Sequence, residues 1–463
     1  MRNLMRKRRI SLVFITVLLI LLSWTFRSNE TSPWTPNSRA LALSTLPIQN
    51  SVSQIKISGN TVLPGQSASL LKVSSTKTLL ISAYLEHRTE KTVSVIAIVL
   101  RSENVSFHCH LRCQDQLHVS NGVKNTLKHH FNFPYGTAAI MCPLPPGCET
   151  PTHVAVTSAT TKPEGFIASD HQFLEVKNQK ELTGPFLYNF TVCFSTMFDF
   201  TNVLQLVQSL EMLQLLGVNR VVVYKTNCSA DTQRVLDYYT TTGLVEVIPW
   251  SLSNYLNVSR GFISSKEPAD LHYFGQISAL NDFLYRYMYK SRYVALHDPD
   301  ELILPQSVDS WLKLLPLLEK KFGADKCYMF ENNVFPKDVV LPPPKPQPLP
   351  LQAQWENVSG VNILAHLYKE PTTAKFKWTR FKTIVNPRAV FSLTVHGVLS
   401  SQRGCVWING NIARMYHTRS QVQKLTPDEL IYDGRLLSYS TNLTPAVNTA
   451  LRKIGLVPEG NTK

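Results

Sequence analysis

The pattern of apolar and polar positions changes character three times along this chain. Ile10 to Phe26 is an uncharged, mostly apolar run, about the shortest that spans a bilayer as a helix. From Arg27 to about Thr76 the residues are rich in Ser, Thr, Pro and Asn with no period, the pattern of a flexible stalk. From Leu79, "TLLISAYLEHR", "TVSVIAIVLR" and "TAAIMCPLP" are short β-branched runs parted by turn residues. They predict strands, and no helical period appears until about residue 200. A small β-sandwich is the expected fold of this stretch.

Beyond Phe186 the rhythm becomes an alternation of strands and helices. "YNFTVCFSTMF", "NRVVVYK", "GLVEVIPW" and "YVALHD" predict buried strands. "DFTNVLQLVQSLEMLQLLGV" puts Val203, Leu206, Leu210 and Leu213 on one helical face, with Asp199 or Thr201 placed to cap it and Gly217 to end it. "DTQRVLDYYTTT" predicts a second helix. "YFGQISALNDFLYRYMYKSR" predicts a third, carrying Ile277, Leu280, Leu284 and Met288 on one face. Such alternation implies an α/β fold, a mostly parallel sheet with helices on both faces. Ligands bind beyond the carboxyl ends of such strands. The chain therefore divides into a tail (1–9), a span (10–26), a stem (27–76), a β-rich domain (77–180), an α/β domain (186–425) and a C-terminal extension (426–463).

Charge sets the topology. Arg2, Arg6, Lys7, Arg8 and Arg9 precede the span, so the tail stays cytosolic and the rest is lumenal or extracellular. The flank "SWTFRSNE" has no small-x-small cleavage site, which makes the span a retained type II signal-anchor. Its shortness suits the thinner membranes of the early secretory pathway. Seven N-x-S/T sequons, at Asn29, Asn104, Asn189, Asn227, Asn257, Asn357 and Asn442, all follow the anchor. Eight cysteines are an even number in a compartment where disulfides form. Proximity favours two bridges among Cys109, Cys113, Cys142 and Cys148, and Cys193, within an apolar strand, is expected as a buried free thiol. The net charge of +15 would raise nucleic acid as a partner, but a lumenal domain does not meet it. The excess suits nucleoside diphosphates, acidic glycans or simply a soluble surface.

The candidate chemistry lies in "RYVALHDPDELILP", where an apolar run ends in Asp298, Asp300 and Glu301 around Pro299. In a chain that stays extended, residues two apart face one way, so Asp298 and Asp300 converge and Glu301 turns away. Two adjacent carboxylates ionise together when a cation lies between them. Oxygen ligands of this kind suit Mg²⁺ or Mn²⁺, whose open positions phosphate oxygens can fill. The bland alternative is a solvated surface turn.

Several blocks, "LEMLQLLGVNRVVVYK", "EVIPWSL", "YFGQISALNDFLYRYMYKSRYVALHDPDELILP", "FKTIVNPRAV", "VHG" and "RMYHTR", together resemble glycosyltransferase family 92 over roughly residues 186–425. The resemblance implies a nucleotide-sugar-binding fold of the GT-A type, Mn²⁺ dependence, UDP-galactose as donor and inversion at the anomeric carbon. Vertebrate members that elongate β-galactosides on glycoprotein N-glycans, by a β-1,4 linkage, look most similar. Lys225 departs from the family pattern, which more often has an acidic or amide residue there.

From their chemistry Asp300, with Asp298, would bind the metal, one of them alternatively holding the ribose. His417 resembles the C-terminal metal histidine of GT-A enzymes, with His396 as rival. Lys382 and Arg419 would meet the diphosphate, and the stretch from Thr196 to Asp199 the uridine. Gln276 and Asn281 match the family helix. Inversion needs a carboxylate base: Glu331 is the candidate, with Glu301 and Glu356 as alternatives. Trp355, Trp378 and Trp407 could stack on acceptor sugars, and "LPPPKPQPLP" could border the acceptor groove or fill an insertion. A different UDP-sugar donor or acceptor (core-fucose galactosylation among them) and a non-catalytic, membrane-anchored glycan-binding protein are the rival readings. The oligomeric state is open, a homodimer included.

Overall fold

The computed structural model describes residues 70–458, apart from 115, 161–166, 169–170, 345–354 and 374–379. The expected span, the stem up to residue 69 and Trp378 lie outside the described residues, whereas the last residues expected in the stem include a short strand, Leu71–Lys72. Among the described residues no helix is long and apolar enough to cross a membrane.

The β-branched runs form eight strands: β1 (Leu71–Lys72), β2 (Leu79–Glu86), β3 (Thr92–Leu100), β4 (Phe107–Cys113), β5 (Gln116–Thr126), β6 (Tyr135–Pro143), β7 (His153–Ser158) and β8 (Leu174–Lys177). A sandwich was expected, but these strands make one sheet in the order β1-β2-β3-β6-β5-β4-β7-β8, and β8 also pairs with β2. The sheet closes on itself because Ala83 and Tyr84 meet Val176 and Lys177, and closure removes the open edges a sandwich would keep. Disulfides Cys109–Cys142 and Cys113–Cys148 tie it together, the four cysteines expected to pair. Inside lie Leu80, Leu85, Val93, Val95 and Val99. Outside, Leu79, Ile81, Tyr84, Ile96 and Ile98 face the rest of the protein. Both faces of β2 and β3 are thus buried, which explains their near-continuous apolar sequence.

The second part runs β9 (Tyr188–Met197), α1 (Val203–Leu215), β10 (Arg220–Lys225), α2 (Ala230–Thr241), β11 (Val245–Pro249), α3 (Gln276–Tyr287), β12 (Ser291–Leu296), β13 (Glu301–Pro305), α4 (Trp311–Phe322), β14 (Cys327–Phe330) and β15 (Asn332–Pro336). It continues with β16 (Tyr368–Lys369), β17 (Lys382–Val385), β18 (Val390–Thr394), β19 (Gly397–Ser401), β20 (Cys405–Ile408), β21 (Ala413–Arg419), β22 (Ile431–Tyr432) and α5 (Ser440–Ile454). The main sheet has the order β11-β10-β9-β12-β17-β14-β20. Its first four strands are parallel, β17 is antiparallel to both neighbours, and β14 and β20 are parallel. Strand β13 leaves that sheet for a smaller one, β13-β21-β15, and β16 pairs β22 and β18 pairs β19.

Strict alternation splits the main sheet between two cores. Phe190, Val192 and Phe194 of β9, Val221 and Val223 of β10, and Tyr293 and Ala295 of β12 face α1, α2, α4 and α5. Their neighbours Cys193, Val222, Tyr224, Val294 and Leu296 face α3 and the barrel. Neither Asp199 nor Thr201 caps α1; Asn202 occupies that position without a side-chain capping bond. Gly217 ends the helix at φ +96°, where a β-carbon would sit 2.9 Å from Leu312, so glycine is required. Helix α5, in the expected C-terminal extension, packs Leu443, Val447 and Leu451 into the same core as Leu206 and Leu210 of α1.

A buried carboxylate joins the two parts. Asp282 of α3 accepts hydrogen bonds from Ser82 (2.5 Å) and Tyr84 (2.6 Å) of the barrel and from Tyr224 of β10. Arg286, one turn on, donates to it at 3.0 Å. Burial alone would raise this carboxyl, but the guanidinium and the three hydroxyls outweigh it and hold it below the usual range. Glu86 makes a second link, pairing with Arg88 and accepting from Tyr285 at 2.9 Å. Replacing Asp282 by alanine leaves Arg286 and three hydroxyls without their common acceptor. We expect a loss of about 3–5 kcal/mol, read as a lower denaturation midpoint; an unchanged midpoint would refute the linking role.

Candidate active site

The order of the main sheet locates the crevice. The chain steps outward from β9 to β10 and β11, then returns to place β12 on the other side of β9. The loops leaving the carboxyl ends of β9 and β12 therefore part in opposite directions, and that divergence opens a binding crevice. Thr196 and Met197 end β9, Phe198 and Asp199 follow it, and Asp298 to Glu301 follow β12.

The carboxylates do not continue the strand. Glu301 N–H bonds Asp298 C=O at 3.0 Å, closing a tight turn with Asp298 first and Pro299 second. Proline favours the second position of a type I or II turn, and Asp the first of type I. The turn resets the alternation and overturns the expectation that Glu301 faces away. Glu301 is buried (2% exposed), and its carboxylate accepts the Asp298 N–H at 2.8 Å.

Two other strands bring the partners. Strand β21 runs antiparallel to β13 with Glu301 opposite His417, and Thr418 N–H bonds Asp300 C=O at 2.9 Å. His417 Nε2 lies 3.3 Å from Asp300 Oδ2, and its Nδ1 lies 3.5 Å from Glu301 Oε1. Lys382, at the start of β17, sits beneath the turn with Nζ 3.2 Å from Asp298 and 3.0 Å from Glu301. The Lys382 side chain is only 3% exposed, whereas those of Asp298 and Asp300 are 37% and 35% exposed. The cation between Asp298 and Glu301 is thus the protein's own. Lys382, expected at the diphosphate, is engaged by carboxylates.

The charges adjust to this crowding. Burial, with Asp298 and Asp300 nearby, pushes the Glu301 carboxyl up to about 7 against the pull of Lys382. Burial works against the charged Lys382, yet Asp298 and Glu301 raise it above the ordinary lysine range. Burial would likewise raise Asp300 and lower His417, but the neighbouring charges outweigh it: His417 lowers Asp300, and Glu301 together with Asp300 raises His417.

Asp300, Glu301 and His417 offer three ligand atoms within 4.8 Å of one another. Two donors about 2.1 Å from one ion stand about 3 Å apart when at right angles, so the Asp300–His417 separation suits a shared divalent ion. An imidazole with carboxylates fits a first-row metal better than calcium. Asp298 belongs to the same turn but not to this trio; it faces Lys382 and the opening.

The remaining expected residues scatter. Thr196 Oγ1 donates to Tyr273 C=O at 3.4 Å, and burial beside Asp298 and Asp300 raises the Tyr273 hydroxyl to about 12. Tyr273 was not anticipated; only the fold brings it to the carboxylates. Asp199 pairs with Arg260 and accepts from Asn227 at 2.6 Å. Gln276 is buried and donates to Ser195 C=O at 2.9 Å, while Asn281 bonds Leu393. Arg419 lies two residues beyond His417 on β21. His396 occupies the β18–β19 turn, where burial lowers it to about 3.

Glu331, between β14 and β15, is not among the clustered ligands. It accepts from Thr372 at 3.3 Å and walls an open cleft of about 450 Å³ with Lys369, Trp407, Asn409, Gly410 and Arg414. Trp407 packs edge-on to Phe381, the neighbour of Lys382. Trp355, a stacking candidate by sequence, is buried and bonds Asn448 at 2.6 Å, so it is a core residue.

Residues 188–453 match the sequence model of glycosyltransferase family 92. A comparison with curated proteins returns no match. Among solved structures, two of Mycobacterium tuberculosis glucosyl-3-phosphoglycerate synthase, one in complex with Mn²⁺, UDP and glucosyl-3-phosphoglycerate, align at 11% identity and TM-score 0.23. The alignment covers 59% of this chain and 82% of theirs, and at that score it carries no argument.

Two substitutions separate the roles of these groups. Asp300→Ala and His417→Ala should each weaken Mn²⁺ binding at least about tenfold, roughly 1.4 kcal/mol, in a titration followed by electron paramagnetic resonance. Lys382→Met should instead lower the thermal midpoint, since it leaves buried Glu301 without its cation. Unchanged Mn²⁺ affinity in both ligand variants would refute the trio as a metal site.

Proposed function

Because the chain belongs to glycosyltransferase family 92, we propose that this glycosyltransferase moves galactose from UDP-galactose to a galactose-terminated N-glycan of a glycoprotein, forming a β-1,4 linkage with inversion. In this reading it has a GT-A-type fold and is a single-pass type II protein of the Golgi membrane, its catalytic part lumenal. The observation that carries the reading is the meeting of Asp300 and His417 with the end of β9 at the crevice. The basic N-terminal flank, the apolar run after it, the sequons and two disulfides support the lumenal placement.

Asp300 and His417 would hold Mn²⁺, with Glu301 behind them, and the bound ion would supply Lewis-acid neutralisation of charge on the departing UDP. Lys382 keeps Asp298 and Glu301 in place beneath the turn, and the stretch from Thr196 to Asp199 receives the uridine. Arg419 reaches the diphosphate as a fork of donors. The cleft holding Glu331 receives the acceptor, with Trp407 as the surface on which a sugar ring stacks. Glu331 accepts the acceptor hydroxyl proton as that oxygen bonds to the anomeric carbon and the bond to UDP breaks on the opposite side.

The test is UDP release by the secreted fragment from about residue 30, with Mn²⁺, UDP-galactose and a β-galactoside. Turnover should vanish in EDTA and fall at least about a hundredfold in Asp300→Ala. Glu331→Gln should cost about 10²–10⁴ in kcat with little change in the KM for UDP-galactose. Turnover with another UDP-sugar alone would overturn the donor assignment. Glycan binding indifferent to both EDTA and UDP, without turnover, would favour a non-catalytic protein.

A further inference from the structure

Four cysteines are engaged in the barrel disulfides, while Cys193, Cys228, Cys327 and Cys405 are thiols in this structure. Two of these four face each other. Strands β14 and β20 are parallel neighbours, and their register sets Cys327 directly beside Cys405. Adjacent strands are about 4.8 Å apart, inside the range of about 4.4–6.8 Å over which disulfides join α-carbons. Registered partners also point to the same face, so the two thiols are neighbours on it. Cys193 and Cys228 lack such an arrangement: Cys193 is buried in β9, and Cys228 donates to Gln233 at 3.7 Å.

We propose that Cys327 and Cys405 form a third disulfide, which ties the edge strand β20 to β14 in the oxidised protein. The two barrel disulfides accord with maturation where a disulfide oxidant acts. Cys405 is partly exposed and Cys327 is buried, which orders the steps. The Cys405 thiolate attacks a disulfide oxidant, either a small molecule or a protein, and expels one oxidant thiol. The Cys327 sulfur then displaces the second oxidant thiol from the mixed disulfide. The two protein thiols are oxidised, one oxidant disulfide is reduced to two thiols, and the protein's two protons end on those thiols. Burial and the neighbouring Cys405 push the Cys327 thiol well above its ordinary range, which leaves the first attack to Cys405.

The bond would sit at a useful place. Strand β14 leads into Glu331, β20 carries Trp407, and both residues wall the cleft. Among the described residues strand β20 has one sheet neighbour, β14, so a covalent tie there holds the cleft's two sides together. The inference rests on register and exposure, not on the proposed activity, and its test needs no substrate.

The full chain, purified from the secretory pathway of expressing cells, is denatured with iodoacetamide and no reductant and then digested with trypsin. Residues 327–337 and 404–414, bounded by Lys326, Lys337, Arg403 and Arg414, should appear as one linked species that dithiothreitol separates. In Cys405→Ala the 327–337 peptide should appear alkylated. Recovery of both wild-type peptides carrying alkyl groups, or of either linked to a different cysteine, would overturn the proposal.

Discussion

A single buried ammonium makes the crevice possible. Lys382 lies beneath a turn that crowds Asp298, Asp300 and Glu301 into four positions, and it shares its charge between the first and the last. Without it, Glu301 would be a desolvated carboxylate with like charges beside it, an arrangement that costs several kcal/mol. With it, the turn stays closed and Asp300 is left facing His417 and the opening. The pairing of Asp300 with His417 is a consequence of how the other two acids are neutralised.

The same solution appears at the seam between barrel and α/β sheet. Asp282 is wholly buried, and its charge is balanced by Arg286 and by hydroxyls from both parts. Unpaired, it would drive the two apart; satisfied, it specifies one docking of α3 against the barrel. The apolar surface around it, with Leu79, Ile96 and Ile98 meeting Leu280 and Phe283, supplies the attraction. The polar hub fixes the geometry, because hydrophobic burial is non-directional. Division into a β-rich and an α/β region therefore describes the chain's sequence better than its mechanics, since one core is common to both.

Much of the fold was legible from local pattern. Period-2 and period-3.6 runs marked β9, α1, β10, α2, β11, α3 and β12 in order, and their alternation implied the parallel half of the sheet. Closure of the barrel was not legible, because strand pairing across long separations leaves no local trace: β8 reaches β2 from far along the chain. The antiparallel insertion of β17 between β12 and β14 was hidden for the same reason. Glu301 is a different kind of miss. The Asp-Pro pair that starts its turn is present in the sequence, but strand alternation ends with β12 at Leu296, before the turn begins.

By itself the sequence determined which residue types could do chemistry and where strands and helices would run, because side-chain periodicity and turn preferences are local. It placed Asp298 and Asp300 at a strand exit and put His417 within reach of suspicion. Only the tertiary structure decided which of these groups meet. The β13–β21 register chose His417 over His396 as the neighbour of Asp300. The start of β17 turned Lys382 from an expected phosphate contact into an internal counter-ion. The switch in strand order brought the end of β9 to the same crevice. Each depends on contacts between residues far apart in the chain, and their energies exist only once the core has brought them together.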